Sequence, residues 1–83
     1  MTQEEHIGIV CRFFEAIAWL KETRQLRGLK TFTDRYGIDR TSLRRLQKSP
    51  QDHNFKAAWL VFLVRDFGVN AQWLLTGEGP MHG

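Results

Sequence analysis

The chain has 83 residues, a formal net charge of +3 and 42% hydrophobic residues. This length predicts a single domain spanning residues 1–83 and leaves little room for a second. No stretch approaches the ~20 consecutive apolar residues of a transmembrane helix. The polar, acidic start at Thr2–Glu5 is unlike a signal peptide. We therefore expect a cytoplasmic protein with no membrane partner.

The chemically reactive residues offer little support for catalysis. The single cysteine, Cys11, excludes an internal disulfide, and we expect a small buried side chain rather than a reactive thiol. The histidines, His6, His53 and His82, are too scattered to predict a metal site. The Gly77–Gly79 run lacks the lysine of a phosphate-binding loop and follows a predicted helix rather than a strand. We therefore expect no enzyme, no cofactor and no metal, and no small-molecule ligand is evident.

Apolar residues recur at three- and four-residue spacing over Ile7–Leu20, which predicts an amphipathic first helix. Thr2 and Glu5 match a capping box at its start. We expect this helix to end at about Thr23 or Gln25. Its apolar stripe is expected to face the core rather than a ligand.

Two short helical patterns follow, Leu29–Tyr36 and Arg40–Lys48. Gly37 is expected to end the first of them in a conformation with positive φ. Asp39 is suited to cap the second, because its carboxylate can accept amide protons at a helix start. Two short helices joined by a tight turn with glycine are the layout of a helix-turn-helix DNA reader. The predicted turn unit covers about residues 29–48.

The remaining patterns predict two more helices and no strand. The fourth helix, about Phe55–Phe67, is apolar nearly all round and is expected to be the central buried helix. Gly68 ends it, and a short fifth helix, Ala71–Thr76, follows. The buried residues of that last helix are expected to be Trp73, Leu74 and Leu75. The predicted fold class is therefore all-α with five helices.

Positive charge is concentrated around the turn unit. Between Lys21 and Lys48 there are nine basic and three acidic residues, so this segment is +6 and the rest of the chain is −3. A basic middle between neutral-to-acidic ends is the electrostatic footprint of a face that binds a polyanion. A solvated charged surface would have the same composition, so charge alone does not decide between the two.

The predicted third helix carries side chains suited to reading bases. Leu43 and Leu46 are three positions apart and point to the core, which turns the polar residues outward. Arg40 and Arg45 are forked donors suited to O6 and N7 of guanine, and Thr41 can donate its hydroxyl or meet a thymine methyl. The residues expected to hold phosphate are Lys30, Arg35, Arg44 and Lys48. This chemistry predicts double-stranded DNA as the partner.

The segment FTDRYGIDRTSLRRL, residues 32–46, resembles the helix-turn-helix of the Cro/C1-type (XRE) family of small bacterial, phage-repressor-like regulators. The tail GVNAQWLLTGEGPM, residues 68–81, is similar to the closing helix of many such proteins. The resemblance implies a five-helix λ-repressor-like fold, transcriptional regulation, and binding of two-fold operators as a homodimer. The base-reading positions that it implies are Arg40, Thr41 and Arg45, with Ser42 close by.

Two positions depart from the family pattern. Leu29 stands where the family commonly has a Gln that contacts DNA, so that contact is not expected here. Thr33 stands where a small Ala is usual, which predicts a looser approach of the two helices of the turn unit.

The alternative function is a protein-interaction module. An antitoxin-like or phage accessory protein could use the apolar helices of this chain to bind a partner. Trp19 falls off the main stripe of the first helix and would mark such an interface if it were exposed. Binding to DNA that weakens steeply with salt would favour the first hypothesis over this one.

Overall fold

The computed structural model describes residues 2–52 and 54–82, and these fold into five helices. The helices are α1 (Gln3–Glu22), α2 (Leu29–Tyr36), α3 (Arg40–Lys48), α4 (Ala58–Phe67) and α5 (Ala71–Thr76). Over these residues the one strand-like pairing is an isolated bridge between Val69 and His82. The all-α class is confirmed for the described residues. His53, one of the three scattered histidines, lies outside them.

The start of α1 follows the sequence prediction. The hydroxyl oxygen of Thr2 accepts the amide of Glu5 at 3.1 Å, and the carboxylate of Glu5 accepts the amide of Thr2 at 3.4 Å. Both halves of the capping box are therefore present. The helix ends at Glu22 with Thr23 as its C-cap, close to the predicted end.

The core is built around α1. Its buried side chains are Ile9, Val10, Phe13, Ala16, Ile17 and Leu20. The ring of Phe13 meets those of Phe32, Phe55 and Trp59 at centroid distances of 5.3–6.2 Å. Aromatic pairs in tilted and edge-to-face arrangements add attraction to the burial of their apolar surface. The helix that organises this fold is therefore the first and longest of those described.

The prediction that the fourth helix is the central buried one is wrong. α4 buries Trp59, Leu63 and Phe67, but Val61 and Val64 are 51% and 37% exposed. Apolar residues on every face make a helix suitable for complete burial, but burial also needs neighbours on every side. A chain this short has little structure left to surround α4 once its other helices cover α1.

Three further predictions are wrong in detail. α4 begins at Ala58 rather than at Phe55, because Phe55 places its ring against Phe13 from a non-helical segment. Leu75 is 52% exposed rather than buried, because it lies on the outer side of the short α5. Cys11 is exposed rather than buried. It lies two positions before Phe13, and therefore about 160° round the helix from that core residue.

The turn between α2 and α3 is tight and depends on Gly37. This residue adopts the left-handed conformation with φ 65°, as the sequence predicts, and a side chain there would be strained. The amides of Gly37 and Ile38 both donate to the carbonyl oxygen of Thr33. Thr33 is 1% exposed, and its hydroxyl donates to the carbonyl oxygen of Lys30 at 2.9 Å. The unit therefore buries this threonine without leaving its hydroxyl unpaired.

Candidate nucleic-acid interface

Two leucines of α3 pack into the core, and Asp39 caps the start of the helix. Leu43 and Leu46 are 0% and 1% exposed. One carboxylate oxygen of Asp39 accepts the Ser42 hydroxyl at 2.8 Å, and the other accepts the Thr41 amide at 3.2 Å. Both bonds favour the charged carboxylate, first the Ser42 bond and then the Thr41 bond, and they hold the pKa of Asp39 below its usual value.

The two buried leucines decide which residues of α3 point to solvent. Successive residues of an α-helix are about 100° apart, so the side opposite Leu43 and Leu46 is predictable. The residues on it are Thr41, Arg44, Arg45 and Lys48. All four are exposed, and Arg40 is exposed nearer to one flank. We call these five residues the polar face of α3.

Ser42 is the least available of the predicted base-reading residues. It is half-buried, and its hydroxyl hydrogen is donated to Asp39. Only its lone pairs remain to accept a hydrogen bond from a ligand. The structure therefore brings Arg40, Thr41 and Arg45 together on exposed surface of α3 and leaves Ser42 at the margin.

The residues predicted to hold phosphate divide between two helices. Arg44 and Lys48 belong to the polar face of α3, whereas Lys30 and Arg35 lie on α2. Nζ of Lys30 is 3.4 Å from a carboxylate oxygen of Asp34, and these side chains are 70% and 66% exposed. Water screens so exposed a pair, so it contributes little stability and leaves Lys30 accessible to an anion.

Arg35 lies at the seam between α2 and α4. Its guanidinium carbon is 5.4 Å from the centre of the Tyr36 ring and 5.2 Å from that of Phe67. The Tyr36 ring in turn stacks on Phe62 with centroids 4.1 Å apart. Arg35 is five positions after Lys30, about 140° round the helix, so the two cations project from different sides of α2. We therefore assign them to different phosphates.

A hydrogen-bonded group of three residues, which was not predicted from the sequence, completes this seam. Arg65 donates two hydrogen bonds to the Asp66 carboxylate, at 3.0 and 3.1 Å, and the Tyr36 hydroxyl donates a third at 2.6 Å. The Arg65 bonds first, and then the Tyr36 bond, lower the pKa of Asp66 from 3.8 to about 2. Burial, and then the bond to Asp66, raise the pKa of Tyr36. This group joins α2 to α4.

A polar hollow beside the start of α3 was also not predicted from the sequence. It has a volume of about 590 Å³, and its lining includes Asp39, Ser42, Asn54, Lys56 and Trp59. Lys56 is a single cation in the segment before α4, and its sequence position gives no sign that it faces α3. The fold therefore adds one positive charge close to the predicted base-reading helix.

Neither a metal centre nor a membrane span is found in the described ranges. No three His, Cys, Asp or Glu residues in 2–52 and 54–82 are grouped so that they could hold a metal ion. Over the same ranges, every helix is too short or too polar to traverse a bilayer.

Comparison with known proteins identifies no relative. No protein-family model matches the chain, and no curated protein or solved structure matches it. The function is therefore inferred from the geometry and chemistry of α3 and the residues around it.

Proposed function

We propose that this chain is a sequence-specific, double-stranded DNA-binding protein that regulates transcription as a repressor does, with α3 in the major groove. The observation that carries the proposal is the orientation of α3. Leu43 and Leu46 hold one side in the core, while Arg40, Thr41 and Arg45 are exposed. The major groove admits one α-helix and displays a different pattern of donors and acceptors for each base pair.

The residues of α3 and α2 have distinct roles in this proposal. The base-reading residues are Arg40, Thr41, Ser42 and Arg45, with Ser42 acting as an acceptor at the margin. The residues that hold phosphate are Lys30, Arg35, Arg44 and Lys48. Phosphate contacts fix the position of the protein on the duplex, whereas contacts to base edges select the sequence.

The wider proposal follows from the family resemblance. The order of the five described helices, with α2 and α3 as a tight turn unit, supports a λ-repressor-like fold. In that fold a homodimer reads two half-sites about one helical turn apart. We place the protein in the cytoplasm, where a lone cysteine stays reduced. The proposed activity needs no cofactor and no catalytic residue.

Salt dependence provides the first test. The protein is titrated into a labelled duplex of mixed sequence at salt concentrations between about 50 and 200 mM. Four phosphate contacts per protomer predict that log K falls against log salt with a slope of about −4 for a monomer and about −7 for a dimer. Selection of bound sites from random duplexes then yields the operator and its half-site spacing. Absent or salt-insensitive binding would contradict the proposal.

A protein-interaction module is the second candidate. It is favoured by Val61, Val64 and Leu75, which leave apolar surface in contact with water. An antitoxin-like or phage accessory protein would use such a surface to hold a partner, and its affinity for DNA would be weak. A steep salt slope together with an enriched operator sequence decides against this candidate as the main function.

A further inference from the structure

The hollow beside the start of α3 has a volume of about 590 Å³. Its lining comes from two separate parts of the chain, the turn that leads into α3 and the segment that leads into and through the first turns of α4. Binding sites for small molecules measure about 300–1,000 Å³ and combine apolar walls with a few polar groups. The size of the hollow is therefore suitable for a small ligand.

Two side chains of opposite charge line the hollow without pairing. Asp39 is the cap of α3, and Lys56 lies just before α4. In residues 2–52 and 54–82, Lys56 forms no ion pair with Asp39 or with any other acid. The side-chain amide of Asn54, which also lines the hollow, makes no hydrogen bond within those ranges. The hollow therefore offers a ligand a cation, an anion and an amide.

Asp39 is charged at neutral pH and retains room for a further donor. Its bonds to the Ser42 hydroxyl at 2.8 Å and the Thr41 amide at 3.2 Å hold its pKa below the usual value. Each carboxylate oxygen accepts one of these bonds, and such an oxygen can accept a second. The carboxylate can therefore bind a cationic group while it still caps α3.

Aromatic side chains form the apolar part of the lining. Trp59 is 7% exposed, and the half-buried rings of Tyr36 and Phe62 stack with centroids 4.1 Å apart. Trp19, which the sequence suggested as the marker of an interface, is instead half-buried against the core, with its ring centroid 4.9 Å from that of His82. The hollow therefore combines aromatic surface with unpaired charges.

We propose that the hollow is a binding site for a free α-amino acid with an apolar side chain. The carboxylate of the ligand binds Lys56 and Asn54, and its ammonium group binds Asp39. The side chain of the ligand packs against Trp59. A zwitterion gives each charge of the hollow an opposite charge, and such charge-assisted hydrogen bonds are stronger than neutral ones. This inference goes beyond the proposed function and does not depend on it.

The two charges of the hollow select against other ligands. A phosphate group of a nucleotide or of DNA is attracted by Lys56 but repelled by Asp39, so the two interactions oppose each other. A simple amine meets the reverse combination. An amino acid avoids both repulsions, because its two charges are of opposite sign.

Phenylalanine is a suitable probe, and its titration is followed through the amide NMR spectrum of the protein. We expect saturable binding with a dissociation constant of roughly 0.1–1 mM, as for other ligands of about twelve non-hydrogen atoms. Phenethylamine lacks the carboxylate and hydrocinnamate lacks the ammonium group. Each is expected to bind about 5–10-fold more weakly than phenylalanine.

Two substitutions assign the charged groups of the ligand to their partners. Lys56→Gln is expected to weaken phenylalanine about 5–10-fold and to leave phenethylamine unchanged. Asp39→Asn retains a capping oxygen, and is expected to weaken phenylalanine by a similar factor without weakening hydrocinnamate. Lys21→Gln, at an exposed position of α1, is the matched control and is expected to change each affinity by less than about 2-fold. The amide spectrum of each variant confirms that it is folded.

Three results would overturn the inference. The first is the absence of saturable phenylalanine binding up to about 10 mM, well above the expected dissociation constant. The second is hydrocinnamate binding as tightly as phenylalanine, which would make the hollow a site for anions alone. The third is a Lys56→Gln variant that loses affinity for DNA but binds phenylalanine as the parent does, which would assign this lysine to DNA. DNA binding by a protein that ignores phenylalanine would keep the proposed function and remove the site.

Discussion

α3 and α4 are helices of nine and ten residues that use their exposed sides differently. α3 buries Leu43 and Leu46 and turns arginine and lysine side chains to water, whereas α4 turns Val61 and Val64 to water. Charged side chains are stable in water, so their exposure alone is weak support for a partner. Covering an exposed valine is favourable, because it removes apolar surface from water. We therefore test α3 through its binding to DNA and α4 through its effect on the stability of the fold.

The largest expected effect concerns the buried side of α3. Leu43→Ala removes a fully buried side chain and leaves a cavity, which is expected to lower the free energy of unfolding by about 2–5 kcal/mol. Val61→Ala, at a 51% exposed position of α4, is expected to cost about 0.5 kcal/mol. Urea unfolding followed by circular dichroism measures both. Similar losses for the two variants would contradict the contrast between these helices.

The next effect concerns the polar face of α3. Arg40→Ala and Arg45→Ala are each expected to reduce the preference for the operator over random DNA by about 1–3 kcal/mol. Lys48→Ala should weaken binding to both DNAs alike and reduce the salt slope by about 0.9. Arg65→Ala removes one positive charge from α4 and serves as the control. Circular dichroism confirms that this variant is folded, because Arg65 also donates hydrogen bonds to Asp66. Fluorescence anisotropy on both duplexes checks these roles.

Two outcomes would contradict these roles of Arg40, Arg45 and Lys48. If the two arginine variants and Lys48→Ala all lose the same affinity on operator and random DNA, none of the three residues reads bases. Losses of the same size in Arg65→Ala would show that overall charge, rather than the polar face, determines binding.

The limits of α3 were predictable from the sequence, whereas the surroundings of α4 were not. α3 begins and ends at local signals, Gly37 and Asp39 on one side and Ser49 and Pro50 on the other, and the structure confirms its bounds. A glycine with positive φ and a capping carboxylate act within a few residues, so their meaning does not depend on the rest of the fold. The orientation of α3 follows equally locally from the spacing of its leucines.

Burial of the other helices depends on neighbours that sequence periodicity does not specify. Cys11 and Leu75 are both apolar enough to be buried, and both are exposed because no described helix covers their side of α1 or α5. Lys56 lies near the start of α3 because of the path that the chain takes before α4, and that path is not evident from the sequence. The candidate site was therefore predictable on α3 itself but not in the hollow beside it.

A smaller effect is expected from the cap that fixes the start of α3. Asp39→Ala removes the acceptor for the Ser42 hydroxyl and the Thr41 amide and is expected to lower Tm by about 5 °C. Asp39→Ser retains a capping oxygen and should recover most of that loss. Thermal unfolding at neutral pH measures both variants. Equal Tm values for the two would show that the cap does not stabilise α3.

The smallest effect is expected at α4, from the acidic side chain of Asp66, which joins α4 to α2. Asp66 has its pKa lowered from 3.8 to about 2, so the folded state favours its charged form. The resulting stabilisation is fully present above about pH 4 and is lost as the pH falls through 2. Asp66→Asn removes the charge and should lower Tm at pH 6 by about 2–3 °C, because an exposed ion pair contributes little.

The pH dependence of that difference separates a specific bond from a general loss of packing. The Tm of the parent and that of Asp66→Asn should converge as the pH is lowered from 5 to 2, since the protonated parent then lacks the same charge. Other carboxylates, including Asp39, titrate in both proteins and cancel in the comparison. Tyr36→Phe removes only the hydroxyl that donates to Asp66 at 2.6 Å and should reproduce part of the effect. A difference in Tm that stays constant from pH 6 to pH 2 would mean that the Asp66 side chain stabilises the seam by packing rather than by its charge.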